Sequence, residues 1–533
     1  MVTTRNPGIE VEEERGPDQS IPRLYAARTA FVGRTLRGPV NRPILLRSFT
    51  EFQHVFGGLW QPSSLGYAVE QFFDHGGREA LVVRVVNGAR STTLSLRAGQ
   101  SKLRLRAVRP GTREFLRASV DYDNIPPGDS LTFNLTVQRV RAQGTAQVED
   151  QEIYRKLSLT PSAEGYFPRA IAGSELVELA SELPSERPDR ILDAASGLAT
   201  GYVTSSSDGD DGAPLTDYDL IGSPADRSGI FALDGADHFG FLCLPPLSRE
   251  QDVGVSSLLV GARYCRDRRA LLIVDPPSGW LTADDALAGM RDWELFNESA
   301  VMYFPRLLAL DKLRGHFEAF APCGAAAGML ARADEATPVW AFSRSDEAVL
   351  RPGYRPTCLV SEDRRVRLAS LGVNIIQAVR SAARIGVAAR TLAAGSADNA
   401  DWKYLAPRRY ALFLLNSIVR GTRWVAMAQP HLEVAEMVSA QVRAFFESLR
   451  ADRAFGSEAS AQDPFFVACS GGRAEFQLVI GFAARLAPGL HSFRITHSAR
   501  GSIIRSLTLN QLGAQMSPAE LEWVGGLAHR LSH

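Results

Sequence analysis

The sequence predicts a multidomain, mixed α/β protein with a βαβ core, an inserted all-β module and terminal strands. Three observations support this prediction. The chain has 533 residues, which is room for roughly three to four domains. Apolar runs spaced about 30 residues apart, with helical patterns between them, indicate parallel βαβ units. A long central stretch of alternating runs separated by turn residues indicates antiparallel strands.

The first element is a strand that has no local partner. Between Arg5 and Glu14, Ile9 and Val11 alternate with glutamates, and Pro7-Gly8 precedes them. This period of two is typical of a half-buried strand. No second alternating run follows at hairpin distance, so the N–H and C=O groups of this strand must be satisfied elsewhere.

Compact α/β structure is predicted next. Thr29–Gly33 and Ala80–Val86 have the composition of strands. Between them, Ser48-x-x-Glu51 forms a capping box that opens a helix, which Gly57-Gly58 ends. A second helix is expected from about Ser64 to His75.

Residues 91 to 222 change character and are predicted to be all-β. Four runs alternate, with Pro-Gly and Gly-Asp turns between them, in the manner of a β-sandwich. The runs are Thr92–Ala98, Lys102–Val108, Arg117–Asp123 and Leu131–Val140. An acidic Gly/Ser/Pro loop, Ser205–Gly222, closes the module.

The third section alternates strand and helix in phase. Its three predicted strands are Phe239–Pro246, Arg269–Pro277 and Ala300–Pro305. One helix reaches about Cys265 and the other begins at the Thr282-x-x-Asp285 box, so the strands should be parallel. Residues 320–400 are less regular and include a helix-like run, Ile375–Gly386.

The last section begins at Asp401. We predict a helix at Arg408–Gly421, a strand at Thr422–Ala428 and a long helix at Glu433–Phe455. Three further strands follow, at Phe465–Cys469, Glu475–Ala484 and His491–Ser498.

The C-terminal extension has a strand pattern of its own. Gly501–Gly513 places Ile503, Arg505, Leu507 and Leu509 on one side, so one face is mostly apolar. A helix is expected after Ser517-Pro518. The predicted divisions are an N-terminal arm (1–23), an α/β part (24–90), an outer β-rich insertion (91–221), an α/β core (222–400), a C-terminal α/β domain (401–500) and an extension (501–533).

Composition excludes several classes of function. The 59 basic and 59 acidic residues give a net charge of +0, which argues against nucleic acid as a partner. Five widely spaced cysteines without a CxxC predict neither a disulfide framework nor a zinc site, and they favour reduced thiols. No signal-peptide pattern and no apolar run of ~18 residues is present, so neither export by a signal peptide nor direct membrane insertion is expected.

Motifs for chemistry are mostly missing. Gly-Lys occurs nowhere and GxSxG is absent, which excludes a P-loop and a nucleophile elbow. Asp275 ends a strand, where open α/β sheets bind ligands, although a structural turn role is favoured over catalysis. His491 and His497 lack a third ligand, and Asp208, Asp210 and Asp211 lack EF-hand spacing. We therefore predict no metal and no cofactor.

Several long stretches together resemble one family. They are "PGIEVEEE", "TAFVGRTLRGPVNRPILLRSFTEFQHVFGG", "LGYAVEQFFDHGGREALVVRVV", "DGDDGAPLTDYDLIG", "GIFALDGADHFGFLCLPP" and "DWKYLAPRRYALFLLNSIVRGTRWVAMAQP". The sequence resembles the contractile tail sheath proteins of myophages and of extracellular contractile injection systems. The resemblance covers about residues 5 to 500, with the β module the loosest part. Ala406-Pro407 departs from the family, which more often has Asn-Val there.

The resemblance implies a structural protein without enzymatic activity. Sheath subunits stack as helically related hexameric rings around an inner tube, and contraction drives the tube through a target envelope without nucleotide hydrolysis. Terminal arms add strands to the sheets of neighbouring subunits. Here the arms would carry Pro7, Gly8, Ile9 and Val11 at one end and Ile503, Arg505, Leu507 and Leu509 at the other. The linker Arg15–Leu24 could span up to ~33 Å.

The same resemblance implies partners and a location. The partners would be further copies of the chain, the inner tube protein, and baseplate and cap proteins. Assembly would take place in the bacterial cytoplasm, as part of a phage tail or an injection particle. Five arginines of the C-terminal domain could complement an acidic tube surface: Arg408, Arg409, Arg443, Arg450 and Arg453.

Three alternatives stay open at this point. The first is an α/β enzyme or ligand-binding protein that uses the strand end at Asp275. The second is a non-contractile sheath-like terminator or baseplate component. The third concerns only the extension, whose strand could fold back onto its own subunit.

Overall fold

A computed structural model shows two compact units. It describes residues 20–142, 144–193, 201–340, 349–379, 382–385, 389–396, 402–427, 432–455, 464–471, 475–484, 490–499, 501–508 and 511. Among these, the larger unit holds residues 27–336 and 349–396. The C-terminal unit combines residues 20–26 and 337–340 with those from 402 onward.

The larger unit begins with the predicted α/β elements. Their bounds are β1 (Thr29–Gly33), β2 (Ile44–Leu46), α1 (Phe49–Phe56), α2 (Leu65–Asp74) and β3 (Ala80–Arg84). The Ser48 hydroxyl accepts the Glu51 N–H at 3.1 Å and caps α1. Gly57 ends α1 at φ 90°, a left-handed conformation that favours glycine. The predicted start and end of this helix are therefore confirmed.

The β module is a sandwich of two sheets. Its elements are β4 (Thr93–Ala98), β5 (Ser101–Ala107), β6 (Leu116–Asp121), β7 (Thr132–Val140), β8 (Val148–Ser158), α3 (Phe167–Ala170), β9 (Val177–Leu179) and β10 (Val203–Thr204). The sheets run β4-β5-β9 and β10-β6-β7-β8, and their apolar faces share one core. The four predicted strands are confirmed, whereas β8, β9 and β10 lacked a recognised pattern.

The chain then returns to the α/β core. The elements are α4 (Asp217–Ile221), β11 (Phe241–Cys243), α5 (Val255–Arg268), β12 (Leu271–Val274), α6 (Ala283–Gly289), β13 (Ala300–Phe304), β14 (Leu307–Asp311), β15 (His316–Phe320), α7 (Cys323–Ala336), β16 (Arg355–Pro356), α8 (Glu362–Ser370), β17 (Val373–Val379) and β18 (Ala382–Ile385). The 14-residue helix α7 lies in a segment that was expected to be irregular.

An eight-stranded sheet forms the centre of the larger unit, in the order β18-β17-β13-β12-β11-β1-β3-β2. The strands from β17 to β3 are parallel, and β18 and β2 add antiparallel edges. The predicted βαβ arrangement is confirmed. The helix predicted at Ile375–Gly386 is wrong, because this run supplies β17 and β18. Buried parallel strands are continuous apolar runs, which periodicity alone does not separate from helices.

The C-terminal unit packs two helices against an antiparallel sheet. Its elements are α9 (Leu405–Thr422), α10 (Leu432–Ala451), β19 (Phe465–Gly471), β20 (Phe476–Ala483), β21 (Leu490–Ser498) and β22 (Gly501–Leu507), and the four strands pair in that order. The strand predicted at Thr422–Ala428 is wrong, since α9 extends to Thr422 and a 3₁₀ helix covers Arg423–Met427. Gly421 therefore lies within α9 and does not end it.

Candidate assembly surfaces

The edge of the C-terminal sheet is the first candidate surface. Strand β22 pairs antiparallel with β21 of its own chain, from Ser498 opposite Gly501 to Ser492 opposite Leu507. This confirms the predicted strand and matches the alternative in which it folds back. Within the residues that the structure describes, no strand pairs with the other edge of β22. That edge presents main-chain N–H and C=O groups of the kind that templates strand addition.

The two faces of β22 differ. Ile504 packs against the core between the sheet and helices α9 and α10. Leu507 contacts a small apolar cluster around Phe466 and Val479. Ile503 is 58% exposed, and Arg505 is also exposed. The predicted apolar face is thus only partly covered. Leu509 lies outside the described residues.

Residues 20–24, which precede β1, are docked on the helices of the C-terminal unit. Ile21 is buried against Gly421 of α9. The Leu24 N–H donates to Ser417 Oγ at 3.2 Å, and Arg23 pairs with Asp452 at 2.7 Å. The second half of the expected linker Arg15–Leu24 is therefore fixed on its own unit, so any reach must come from residues before Ser20. Pro7, Gly8, Ile9 and Val11 lie outside the described residues.

The five candidate tube-facing arginines occupy different environments. Arg408 is buried, with its guanidinium 5.3 Å from the Trp402 ring centroid, and Arg409 is half-buried. Arg443, Arg450 and Arg453 are exposed, on or just after α10. Arg443 and Arg450 are seven residues apart, which is about two turns of α10, so they lie on one face of the helix. These two are the arginines of the set best placed on a common surface.

Asp275 lies at the end of β12, as predicted, but its carboxylate is not open to a substrate. Oδ1 accepts the Cys323 N–H at 2.8 Å and caps the first turn of α7. Oδ2 is shielded from solvent and has no hydrogen-bond partner. Burial raises the pKa of Asp275 to about 6, outweighing the stabilising amide and the nearby Arg306. This geometry supports a structural role.

The strand order reverses at the carboxyl ends of β1 and β11, where doubly wound sheets bind ligands. Arg34, the residue after β1, donates from Nη2 to the Asp211 carbonyl at 3.0 Å and the Gly212 carbonyl at 2.7 Å. The acidic loop also pairs with the segment after β3, at Asn87 and Arg90. The Arg34 guanidinium is therefore engaged by a loop of its own chain.

Arginines and carboxylates connect the sheet to the β module, a feature that sequence analysis missed. Arg84 is 1% exposed and donates to the Gly38 carbonyl at 2.7 Å. Arg37 pairs with Glu149 of β8 at 2.6 Å. Within the module, Arg139 pairs with Glu114 at 2.6 Å, and both are buried. The sequence signal for this buried contact is Arg84 itself, a charged residue in an otherwise apolar strand.

The other polar candidates have structural partners. The Asp208 carboxylate accepts the Thr93 N–H at 2.9 Å, and Asp211 accepts the Thr112 N–H at 2.8 Å. His497 shares hydrogen bonds with Thr422 at 2.9 Å and Ser502 at 2.7 Å. Over the described ranges, no group of His, Cys, Asp and Glu side chains could hold a metal ion. No helix in those ranges is long and apolar enough to cross a membrane.

The chain shares its fold with contractile sheath proteins. The fold combines a mainly parallel sheet, an inserted β-sandwich and a C-terminal unit of helices on an antiparallel sheet. A sheath tail protein from Listeria innocua superposes with a TM-score of 0.60 at 12% identity, covering 90% of this chain and 96% of that one. The sheath of an extracellular contractile injection system, PVC, in its contracted state gives 0.51 at 14% identity, covering 91% and 95%. A sheath tail protein from Desulfitobacterium hafniense gives 0.50 at 12% identity, covering 92% and 100%. No family model and no curated protein matches the chain by sequence.

Proposed function

We propose that this chain is the structural subunit of a contractile sheath that polymerises as stacked hexameric rings around an inner tube. The observation that carries the proposal is the shared fold across nine-tenths of the chain. The buried Asp275 carboxylate, which caps α7, supports a structural role over an enzymatic one. Contraction would be a rigid-body repacking of subunits that drives the tube through a target envelope.

The N-terminal arm of a neighbouring subunit is proposed to add to the open edge of β22. The alternating residues Ile9 and Val11 suit a strand, and Ile503 and Arg505 lie exposed on the receiving strand. Four to six main-chain hydrogen bonds at ~0.5–1.5 kcal/mol net each would keep the arm attached while rings slide and rotate. The docked residues Ile21 and Arg23 would anchor the other end of the arm on its own subunit.

Deletion of residues 1–19 tests this arrangement. The deletion removes the arm but keeps the docked segment, so the subunit should fold and remain dispersed. Negative-stain electron microscopy should then show tubules for the full chain and none for the deleted chain. Normal tubules from the deleted chain would refute strand addition by the arm.

The inner tube is proposed to meet α10, and the β module is proposed to lie on the outside. Arg443 and Arg450 would face an acidic tube surface. Added salt would weaken this attraction, because exposed charges are screened over ~8 Å at physiological ionic strength. Their double reversal to glutamate should abolish co-purification of the tube protein, whereas the same reversal of Arg364 and Arg365 on α8 of the larger unit should not. Replacing residues 93–204, from β4 to β10, by a Gly/Ser linker keeps the acidic loop and α4, and should preserve assembly if the module is external. The remaining partners would be baseplate and cap proteins, and assembly would occur in the bacterial cytoplasm.

A further inference from the structure

A cavity opens at one end of the β-sandwich, outside the surfaces proposed for assembly. It has a volume of about 340 Å³ and lies among Thr112–Arg117, the end of β7 and the segment Tyr202–Gly209. This volume falls within the range of small-molecule sites. The lining combines an apolar floor, an aromatic wall and a polar rim.

The floor and the wall are fixed in place. Phe115, Leu116 and Val140 supply the apolar floor. Tyr202 stands at the wall and is 41% exposed. The Arg117 guanidinium lies 4.4 Å from the centroid of the tyrosine ring and also donates to Gln138 at 2.7 Å. Arg117 therefore holds the ring, and part of the tyrosine remains exposed.

One carboxylate oxygen in the lining lacks a donor. Glu114 is buried, and its Oε1 accepts Arg139 Nε at 2.6 Å. Its Oε2 is also buried and has no hydrogen-bond partner. A buried acceptor without a donor carries the full desolvation cost, so a ligand hydroxyl that reached it would be bound favourably. The exposed hydroxyl residues Thr204 and Ser207 stand at the rim.

We propose that this cavity binds a saccharide ring. A pyranose has an apolar C–H face that packs on an aromatic ring, and hydroxyls on its edges that donate to a carboxylate. The charged residues of the lining are one glutamate and one arginine. The unpartnered Oε2 of Glu114 can accept from a hydroxyl and would repel a phosphate, which favours a neutral sugar over a phosphate or nucleotide. The site does not depend on polymerisation.

Saturation-transfer NMR and calorimetry on the full, dispersed chain test the proposal. The probes are glucose, galactose, mannose, rhamnose and N-acetylglucosamine, each also as a disaccharide. At least one should bind with a Kd below about 10 mM, and Tyr202→Ala should weaken it by at least about tenfold. Tyr218→Ala is the matched control, because Tyr218 is 88% exposed and outside the cavity. It should bind as the wild type does.

A second variant separates loss of binding from loss of folding. Ser207 is exposed, so Ser207→Trp should fold normally while its indole fills the cavity and abolishes binding. The thermal transitions of all variants should match that of the wild type. Failure of every probe to bind below about 10 mM, or unchanged binding in both Tyr202→Ala and Ser207→Trp, would overturn the proposal.

Discussion

The buried carboxylate of Asp275 should make the free energy of unfolding depend on pH. Burial raises the pKa of Asp275 from 3.8 to about 6 in the folded chain. A raised carboxyl pKa means that the folded state holds a proton that the unfolded state has released. The contribution of Asp275 to stability is therefore most favourable below pH 4 and is lost as the pH rises through 6. A difference of about two pKa units corresponds to about 3 kcal/mol in total.

Asp275→Asn removes this penalty and keeps a cap for α7, because asparagine accepts at a helix N-terminus about as well as aspartate. The variant should gain stability relative to the wild type as the pH rises. About half of the 3 kcal/mol falls between pH 5 and pH 8, so the difference in unfolding free energy should grow by about 1.5 kcal/mol over that interval. Comparing variant and wild type cancels the titration of other groups.

Urea denaturation followed by tryptophan fluorescence at pH 5, 6, 7 and 8 measures this difference. Asp284→Asn is the control, since Asp284 is exposed and its pKa is lowered by a hydrogen bond from Arg364. The unfolding free energy of that variant, relative to the wild type, should not increase with pH. If the difference for Asp275→Asn stayed constant or shrank with pH, the carboxylate would be stabilised as an anion by the helix terminus, and the desolvation argument would fail.

Three further substitutions test separate contacts. In Gly421→Ala, the new Cβ would lie 2.8 Å from Ile21 Cγ1. Residues 20–26 should therefore undock and be cleaved faster in limited proteolysis. Gly279→Ala is the control and should not change the cleavage rate, because its Cβ would meet nothing within 4 Å. Arg84→Met leaves the Gly38 carbonyl without its donor and should cost ~1–3 kcal/mol in urea denaturation. The exposed Arg90→Met should cost less than ~1 kcal/mol, and equal costs would contradict a structural role for the buried arginine. Ile503→Lys should abolish tubules in electron micrographs without changing the thermal transition, while Ile153→Lys on β8, 51% exposed, should assemble normally.

Local patterns predicted much of the fold. Helix α1 was predicted at both ends because Ser48 and Gly57 act within one turn of the helix. Strands β4 and β5 alternate buried and exposed residues along their length, as half-buried strands must. Such features depend on neighbours in sequence, so a single sequence reveals them.

Features that depend on distant neighbours escaped prediction. Gly421 has the sequence context of a helix end, but Ile21, four hundred positions away, requires a residue without a side chain there. A charged residue in a strand suggests an exposed position, but Arg84 is 1% exposed, and Gly111 of the β module lies beside its guanidinium. Among the candidate surfaces, β22 was predicted as a strand. Its pairing with β21 stayed an alternative because alternation predicts a strand without saying which strand it pairs with.

The proposed assembly edge and the proposed sugar site lie in different units, and this makes their roles separable. Strand β22 belongs to the C-terminal unit, and the cavity belongs to the larger one. Substitutions that share no partners and lie in different units are expected to act independently. Ile503→Lys should therefore abolish tubules and retain sugar binding, and Tyr202→Ala should do the reverse. Loss of tubules through Tyr202→Ala, or loss of sugar binding through Ile503→Lys, would show that the two sites are coupled.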